Sequence, residues 1–143
     1  MLTVYSRIVV PYDGSALSQK ALEMAIKLTE QDKRIELDVL TVVNKEITGK
    51  PVYNLELEQE TQRKAAAELQ TTIKEKLASL PNRTRTIVLD GNPPQMILEF
   101  VKQNGSDLII MGSRGLSVLK ELHLGSVSHH VVQKATCPVL IVK

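Results

Sequence analysis

The residues best suited to do chemistry lie between Met111 and Ser126, in the stretch MGSRGLSVLKELHLGS. Gly112 and Gly115 are separated by two residues, nine more follow, and Gly125 and Ser126 then open a segment with helical patterning. Glycines let backbone N–H groups wrap a phosphate with no Cβ in the way, and a helix N-terminus presents unpaired donors and a partial positive charge. A strand, a glycine loop and a helix in that order therefore suit an anion, above all a nucleotide phosphate. Each glycine taken alone suits a tight turn or a cap equally well. Ser113 and Arg114 fall between the first two glycines and fit a phosphate rim, although a loop arginine is also at home in solvent.

Other candidate chemistries are weaker. His129 and His130 are adjacent, so on a helix they point in different directions, and no further His or Cys completes a zinc set. Cys137 is the single cysteine, which excludes an intrachain disulfide and a CxxC motif, and it reads as a small apolar residue beside a strand. Asp13 and Asp90 both end strands, as in a phosphate-receiving signalling domain, but Asp13 lacks a paired acid and that reading leaves the glycine loop unexplained. No Walker A lysine motif is present, and no His or Glu is placed as a base against an attacking water, which ranks a phosphate-transferring enzyme second. Lys120 and His123, inside the nine-residue span, read as surface residues.

Five apolar runs must position these groups. Arg7 to Pro11 carries a β-branched run, as in a parallel strand covered on both faces, and leads into Pro11-Tyr12-Asp13-Gly14-Ser15, where Ser15 can cap a helix. That helix buries Leu17, Ala21, Met24, Ala25 and Leu28. A second strand runs from Ile35 to Val43, and Asn44 to Tyr53 forms the longest irregular connection. A long helix spans about Leu55 to Leu80 with an apolar stripe of Ala66, Leu69, Ile73, Leu77 and Leu80, and Pro81-Asn82 ends it. Thr84 to Leu89 is a third strand. Asn92 and Pro93 read as cap and first helical position of a helix to Gln103 that buries Ile97, Phe100 and Val101. Asp107 to Met111 is the fourth strand, Ser126 to Lys134 the last helix and Cys137 to Val142 the fifth strand.

Strand and helix alternate throughout, which predicts an α/β domain: an open five-stranded parallel sheet, order 3-2-1-4-5, with helices on both faces. Ligands of such sheets bind at the carboxyl ends of strands where connections diverge, so Asp13 is expected to face Gly112 across a crevice. The 143 residues fit one domain. Acidic and basic residues are interspersed, 16 and 18 respectively, and aromatics make up only 3%, which argues against DNA or RNA as a partner. No apolar run reaches the roughly 20 residues of a membrane span, and the N-terminus lacks the parts of a signal peptide, so a cytoplasmic location is expected.

These residues together resemble the universal stress protein family, in its ATP-binding branch. The family signature is Gly, two residues, Gly, nine residues, then Gly-Ser or Gly-Thr, which Gly112, Gly115, Gly125 and Ser126 reproduce without a gap. Val10 to Ser15 resembles the family's opening motif, Gly91-Asn92-Pro93 its third turn and Cys137 to Val142 its closing strand. The resemblance implies a Rossmann-like domain of the adenine nucleotide alpha hydrolase type that binds ATP, dimerises and acts in stress signalling. Tyr12 departs from the small or aliphatic residue usual there, and its ring is expected at the pocket rim.

On this reading Met111, Gly112 and Gly115 border phosphates and ribose, while Gly125, Ser126 and Val127 hold distal phosphates at the last helix. The Ser126 hydroxyl either meets a phosphate or caps the helix, and Ser128 is either a second phosphate contact or a solvated first-turn residue. Asp13 binds ribose or a phosphate-bound Mg2+, or makes an Asx turn before Gly14. Pro11, Thr41 and Val42 shape the adenine site, where backbone groups read the base edge. The alternative is a slow ATPase or phosphotransferase using the same pocket. Independently of the family, an apolar fifth strand with no helix after it leaves a sheet edge open, so pairing of Val139, Leu140, Ile141 and Val142 with a second copy is expected. The protein partner and the stress signal are not encoded in any motif of the chain.

Overall fold

The computed structural model describes residues 5–44, 55–115 and 124–143. The Gly49–Pro51 part of the long connection, and Lys120 and His123, lie outside them. In chain order the elements are β1 (Arg7–Pro11), α1 (Ala16–Thr29), β2 (Glu36–Val43), α2 (Leu55–Leu77), β3 (Thr84–Asp90), α3 (Pro93–Asn104), β4 (Leu108–Gly112), α4 (Ser126–Lys134) and β5 (Val139–Val142). The strands form one sheet in the order β3-β2-β1-β4-β5, and each neighbouring pair is parallel. This is the expected α/β architecture.

Ile8 to Val10 of β1 and Leu108 to Met111 of β4 are continuously apolar because both faces are covered. Ile8, Val10, Leu37, Val39 and Ile110 pack under α1 and α2, against Ala21, Leu22, Ala25, Ile73 and Leu77. Val9, Leu40, Ile109 and Met111 face the other way, against Ile97, Phe100 and Val101 of α3 and Val131 of α4. The chain thus leaves β1 toward one face and β4 toward the other, which places the topological switch point between these adjacent strands.

The helix ends follow their sequence signals. Ser15 caps α1 by accepting from the Ser18 N–H at 3.3 Å, Asn92 caps α3 ahead of Pro93, and Gly105 ends α3 in the left-handed region at φ 65°. Three boundaries shift for physical reasons. β5 starts at Val139 rather than Cys137, since Pro138 has no N–H to donate and contributes only its carbonyl, which accepts from Ile109. β4 starts at Leu108, because the Asp107 carboxylate instead accepts from the backbone N–H groups of Ser6 and Arg7, each at 3.0 Å. α2 ends at Leu77, after which Leu80 N–H bonds to the Leu77 carbonyl and tightens the exit. Within α1, Met24 is 41% exposed and Leu22 is fully buried in its place.

Two polar devices hold the end of the sheet away from the switch-point crevice. Arg85 grips Asp38 with two bonds from one guanidinium edge, Nε to Oδ1 at 2.8 Å and Nη2 to Oδ2 at 2.9 Å, and lies over the Phe100 ring at 5.9 Å. Asn82, between α2 and β3, is buried and aims its amide nitrogen at the carbonyls of Thr29, Asp32 and Ile35, at 3.0, 2.8 and 2.9 Å. Beside it, Arg34 donates from side chain and backbone to the Asp32 carboxylate and lowers its pKa from 3.8 to about 2. A carboxyl depressed in the folded state stabilises the fold above its unfolded pKa and loses that contribution as pH falls through the folded value. The melting-temperature gap between wild type and Asp32→Asn is therefore expected to hold steady above pH 3.8 and to narrow toward about pH 2. A gap that stayed constant down to that acid limit would contradict the pairing.

Candidate functional site

A cavity of about 420 Å³ opens at the carboxyl ends of β1, β2 and β4, at the switch point. Its construction follows from strand periodicity. Side chains two apart share a sheet face, so Pro11, Leu40, Val42 and Met111 point toward the α3/α4 side and floor the cavity. Pro93 and Ile97, in the first turns of α3, add an apolar wall. Tyr12 and Thr41 alternate to the other face. Tyr12 still lines the cavity, with its ring buried in the α1/α2 cluster, and burial first, then the Asp13 carboxylate, push its phenol above the usual value. Thr41 does not line the cavity; its hydroxyl donates to the Tyr12 carbonyl at 3.1 Å and ties the ends of β1 and β2 together.

The opposite end of the cavity is polar. Asp13, Arg114, Gly115, Gly125, Ser126, Val127 and Ser128 meet there. The Asp13 Oδ1 accepts from the Ser15 N–H at 2.9 Å, which is the Asx turn, while Oδ2 lies toward Gly115, 2.5 Å from where a Cβ on it would stand. The carboxylate therefore faces Gly115 across the crevice rather than Gly112. Among the described lining residues it is the one carboxylate, and Arg114 is the one guanidinium.

The N-terminus of α4 completes this end. Its N-cap is Gly125, so Ser126 is the first helical residue rather than the cap, and no side chain among the described residues caps the helix. The Ser126 and Val127 N–H groups are thus left to the cavity they line. Ser128 is buried, not solvated: its hydroxyl lies 2.7 Å from the Ser113 carbonyl and 3.1 Å from that of Gly125. Ser113 itself does not line the cavity. Its carbonyl also accepts from the Gly125 N–H at 2.7 Å, and its own N–H donates to the Val142 carbonyl at 2.9 Å, so one residue joins the α4 N-terminus to β5.

Gly112 borders the cavity, but its missing side chain serves a different purpose. A Cβ there would stand 2.8 Å from the Leu17 Cβ and 3.0 Å from the Leu17 carbonyl carbon, so glycine lets α1 lie close on β4. Gly112→Ala is expected to cost about 1–3 kcal/mol of stability through overpacking, read as a lower denaturation midpoint. An unchanged midpoint would show that α1 can move aside freely.

Outside the cavity, His129 and His130 are exposed on α4, and no cluster of three His, Cys, Asp or Glu suited to a metal occurs among the described residues. Cys137 is half-buried in the α3/α4 cluster, and burial pushes its thiol pKa up, away from thiolate chemistry.

Fold and crevice together define a doubly wound α/β domain whose switch-point pocket is apolar at one end and glycine-lined, with an open helix N-terminus, at the other. The chain belongs to the universal stress protein family, whose model matches residues 5–143. It is similar to universal stress protein YxiE of Bacillus subtilis, 37% identical with 98% of this chain and all of the relative covered. Among solved structures it is similar to a universal stress protein UspA from Lactobacillus plantarum, at TM-score 0.86 and 26% identity, covering 99% of this chain and 100% of that one. A family member from Arabidopsis thaliana, solved with AMP bound, shares the fold at TM-score 0.72 and 19% identity, covering 96% of this chain and 91% of that one.

Proposed function

We propose that this universal stress protein binds ATP, with Mg2+, in the switch-point cavity and acts in the cytoplasm as a nucleotide-dependent regulatory module of the stress response. The observation that carries the proposal is the polarity of the cavity: Gly115, Arg114 and the uncapped start of α4 at one end, Pro11, Leu40, Val42, Pro93 and Ile97 at the other. Backbone donors and a guanidinium suit a polyphosphate, and a flat apolar slot suits a purine. The close approach of Gly115 to Asp13 leaves a cradle that a single Cβ would fill. Asp13 is the carboxylate that would meet ribose or a phosphate-bound Mg2+, since such an ion commonly takes only one or two protein carboxylates and keeps water and phosphate as its other ligands. AMP in the Arabidopsis relative supports an adenine nucleotide here.

Calorimetric titration with ATP, AMP and tripolyphosphate, each with magnesium, tests the reading. Saturable ATP binding that exceeds tripolyphosphate binding is expected, and the absence of any saturable ATP heat would overturn it. Phosphate release on the time scale of regulation would replace the module with the slow ATPase.

The module is also expected to pair as a homodimer along β5. That strand is the sheet edge, Leu140 is 39% exposed on it, and Val132 is exposed on the adjoining α4. Sedimentation as a monomer at micromolar concentration would remove this part of the proposal.

A further inference from the structure

The end of the sheet away from the cavity carries a feature that nucleotide binding does not use. Asn104 is the last residue of α3 and Gly105 its left-handed cap, and this is the chain's single Asn-Gly step. In such a step the glycine offers its backbone nitrogen to the preceding side-chain amide with no Cβ to hinder the approach. Arg85 donates to the Asn104 Oδ1 at 3.2 Å, and a cation on that oxygen makes the amide carbon more electrophilic.

Two hydrogen bonds hold the reacting groups apart. The Gly105 N–H donates to the Val101 carbonyl, and the Asn104 Nδ2 donates to the Phe100 carbonyl at 2.9 Å. A third contact, from Arg7 Nη1 to the Asn104 carbonyl at 2.7 Å, closes the helix end. Gly105 is exposed, and a last helical turn held by a few such bonds is the kind of place where local opening is easiest.

We propose that Asn104–Gly105 is a site of spontaneous modification gated by opening of the α3 C-terminus. Once the turn opens, the Gly105 nitrogen gives up its proton to solvent base and attacks Asn104 Cγ. The N–Cγ bond forms, the Cγ–Nδ2 bond breaks, and Nδ2 leaves as ammonia with a proton taken from water. Water then adds to either carbonyl of the cyclic imide and gives aspartate or isoaspartate at 104, with no oxidant or reductant involved. The new carboxylate sits where Arg85 is already held by Asp38, and the isoaspartate form adds a main-chain carbon at the helix cap. Because Pro93 and Ile97 at the other end of α3 wall the cavity, the modification reports on the helix that borders the proposed site.

The test is peptide mapping by mass spectrometry of the full chain, aged in mildly alkaline buffer, beside a synthetic peptide of residues 99–109. The peptide is expected to convert faster than the folded chain. Arg7→Ala, which removes the bond to the Asn104 carbonyl and leaves both reacting residues in place, is expected to speed conversion up to about fivefold, the equivalent of roughly 1 kcal/mol of opening free energy. Conversion in the folded chain as fast as in the peptide would overturn the gate. Absence of conversion at 104 in both wild type and Arg7→Ala, after the peptide has fully reacted, would overturn the site. These readouts need no nucleotide, so they stand apart from the fate of the ATP proposal.

Discussion

Gly115→Val is expected to weaken ATP binding by about 100-fold or more while leaving the fold intact, a loss on the order of 2.7 kcal/mol. The valine Cβ would stand 2.5 Å from the Asp13 Oδ2, so the carboxylate must swing away from the crevice. Its other oxygen is held by the Ser15 N–H, so that swing also strains the Asx turn at the start of α1. The added methyl groups meanwhile occupy the space proposed for ribose and phosphate. Gly115 is exposed and its backbone is not in the left-handed region, so valine has no reason to unfold the chain. Titration calorimetry beside a urea midpoint separates the two effects. A variant with wild-type affinity would remove the cradle from the proposal. The contrast with Gly112→Ala matters here: two glycines of one motif are expected to differ, one acting on the ligand and the other on the packing of α1.

The second large effect is structural. Asn82→Ala is expected to destabilise the fold by about 2–3 kcal/mol, a fall in melting temperature of roughly 6–10 °C. The amide nitrogen has two hydrogens and faces three carbonyls, so it shares at least one of them in a three-centre bond. Removing it leaves the Thr29, Asp32 and Ile35 carbonyls short of donors at a buried site and releases the connection between α1 and β2. Asn82→Asp is expected to be worse still at neutral pH, because a carboxylate oxygen would face carbonyl oxygens. Thermal melts of both variants decide the matter; an alanine variant within about 0.5 kcal/mol of wild type would mean that water replaces the amide at no cost.

The fold was legible because parallel strands announce themselves. Ile8-Val9-Val10 and Leu108-Ile109-Ile110 are continuously apolar since both sheet faces are covered, and Ser15, Asn92, Pro93 and Gly105 mark helix ends by local hydrogen bonding that depends only on neighbouring residues. The placing of Gly115, Gly125 and Ser126 at one cavity was legible for the same reason: spacing within one segment encodes it. What depends on distant partners was not. Asn82 read as a turn residue, because its three carbonyls lie 47 to 53 positions away. Gly112 read as a phosphate neighbour, because Leu17 comes from another helix. The α1 stripe admitted Met24, yet Leu22 is the residue that points inward. One miss had a usable signal. Strand alternation puts Leu40 and Val42 on one face and Thr41 on the other, so Leu40, not Thr41, belonged with the apolar floor, and it does line the cavity.

The backbone of Ser113 carries one last consequence. Its carbonyl anchors the start of α4, and its N–H holds the end of β5. If ligand at the α4 N-terminus orders that residue, and pairing of β5 with a second copy orders it too, the two equilibria share a common term. Thermodynamic reciprocity then requires that nucleotide tighten self-association by the same factor by which self-association tightens nucleotide binding. The dimerisation constant measured with and without ATP is therefore a second, independent gauge of affinity in the crevice.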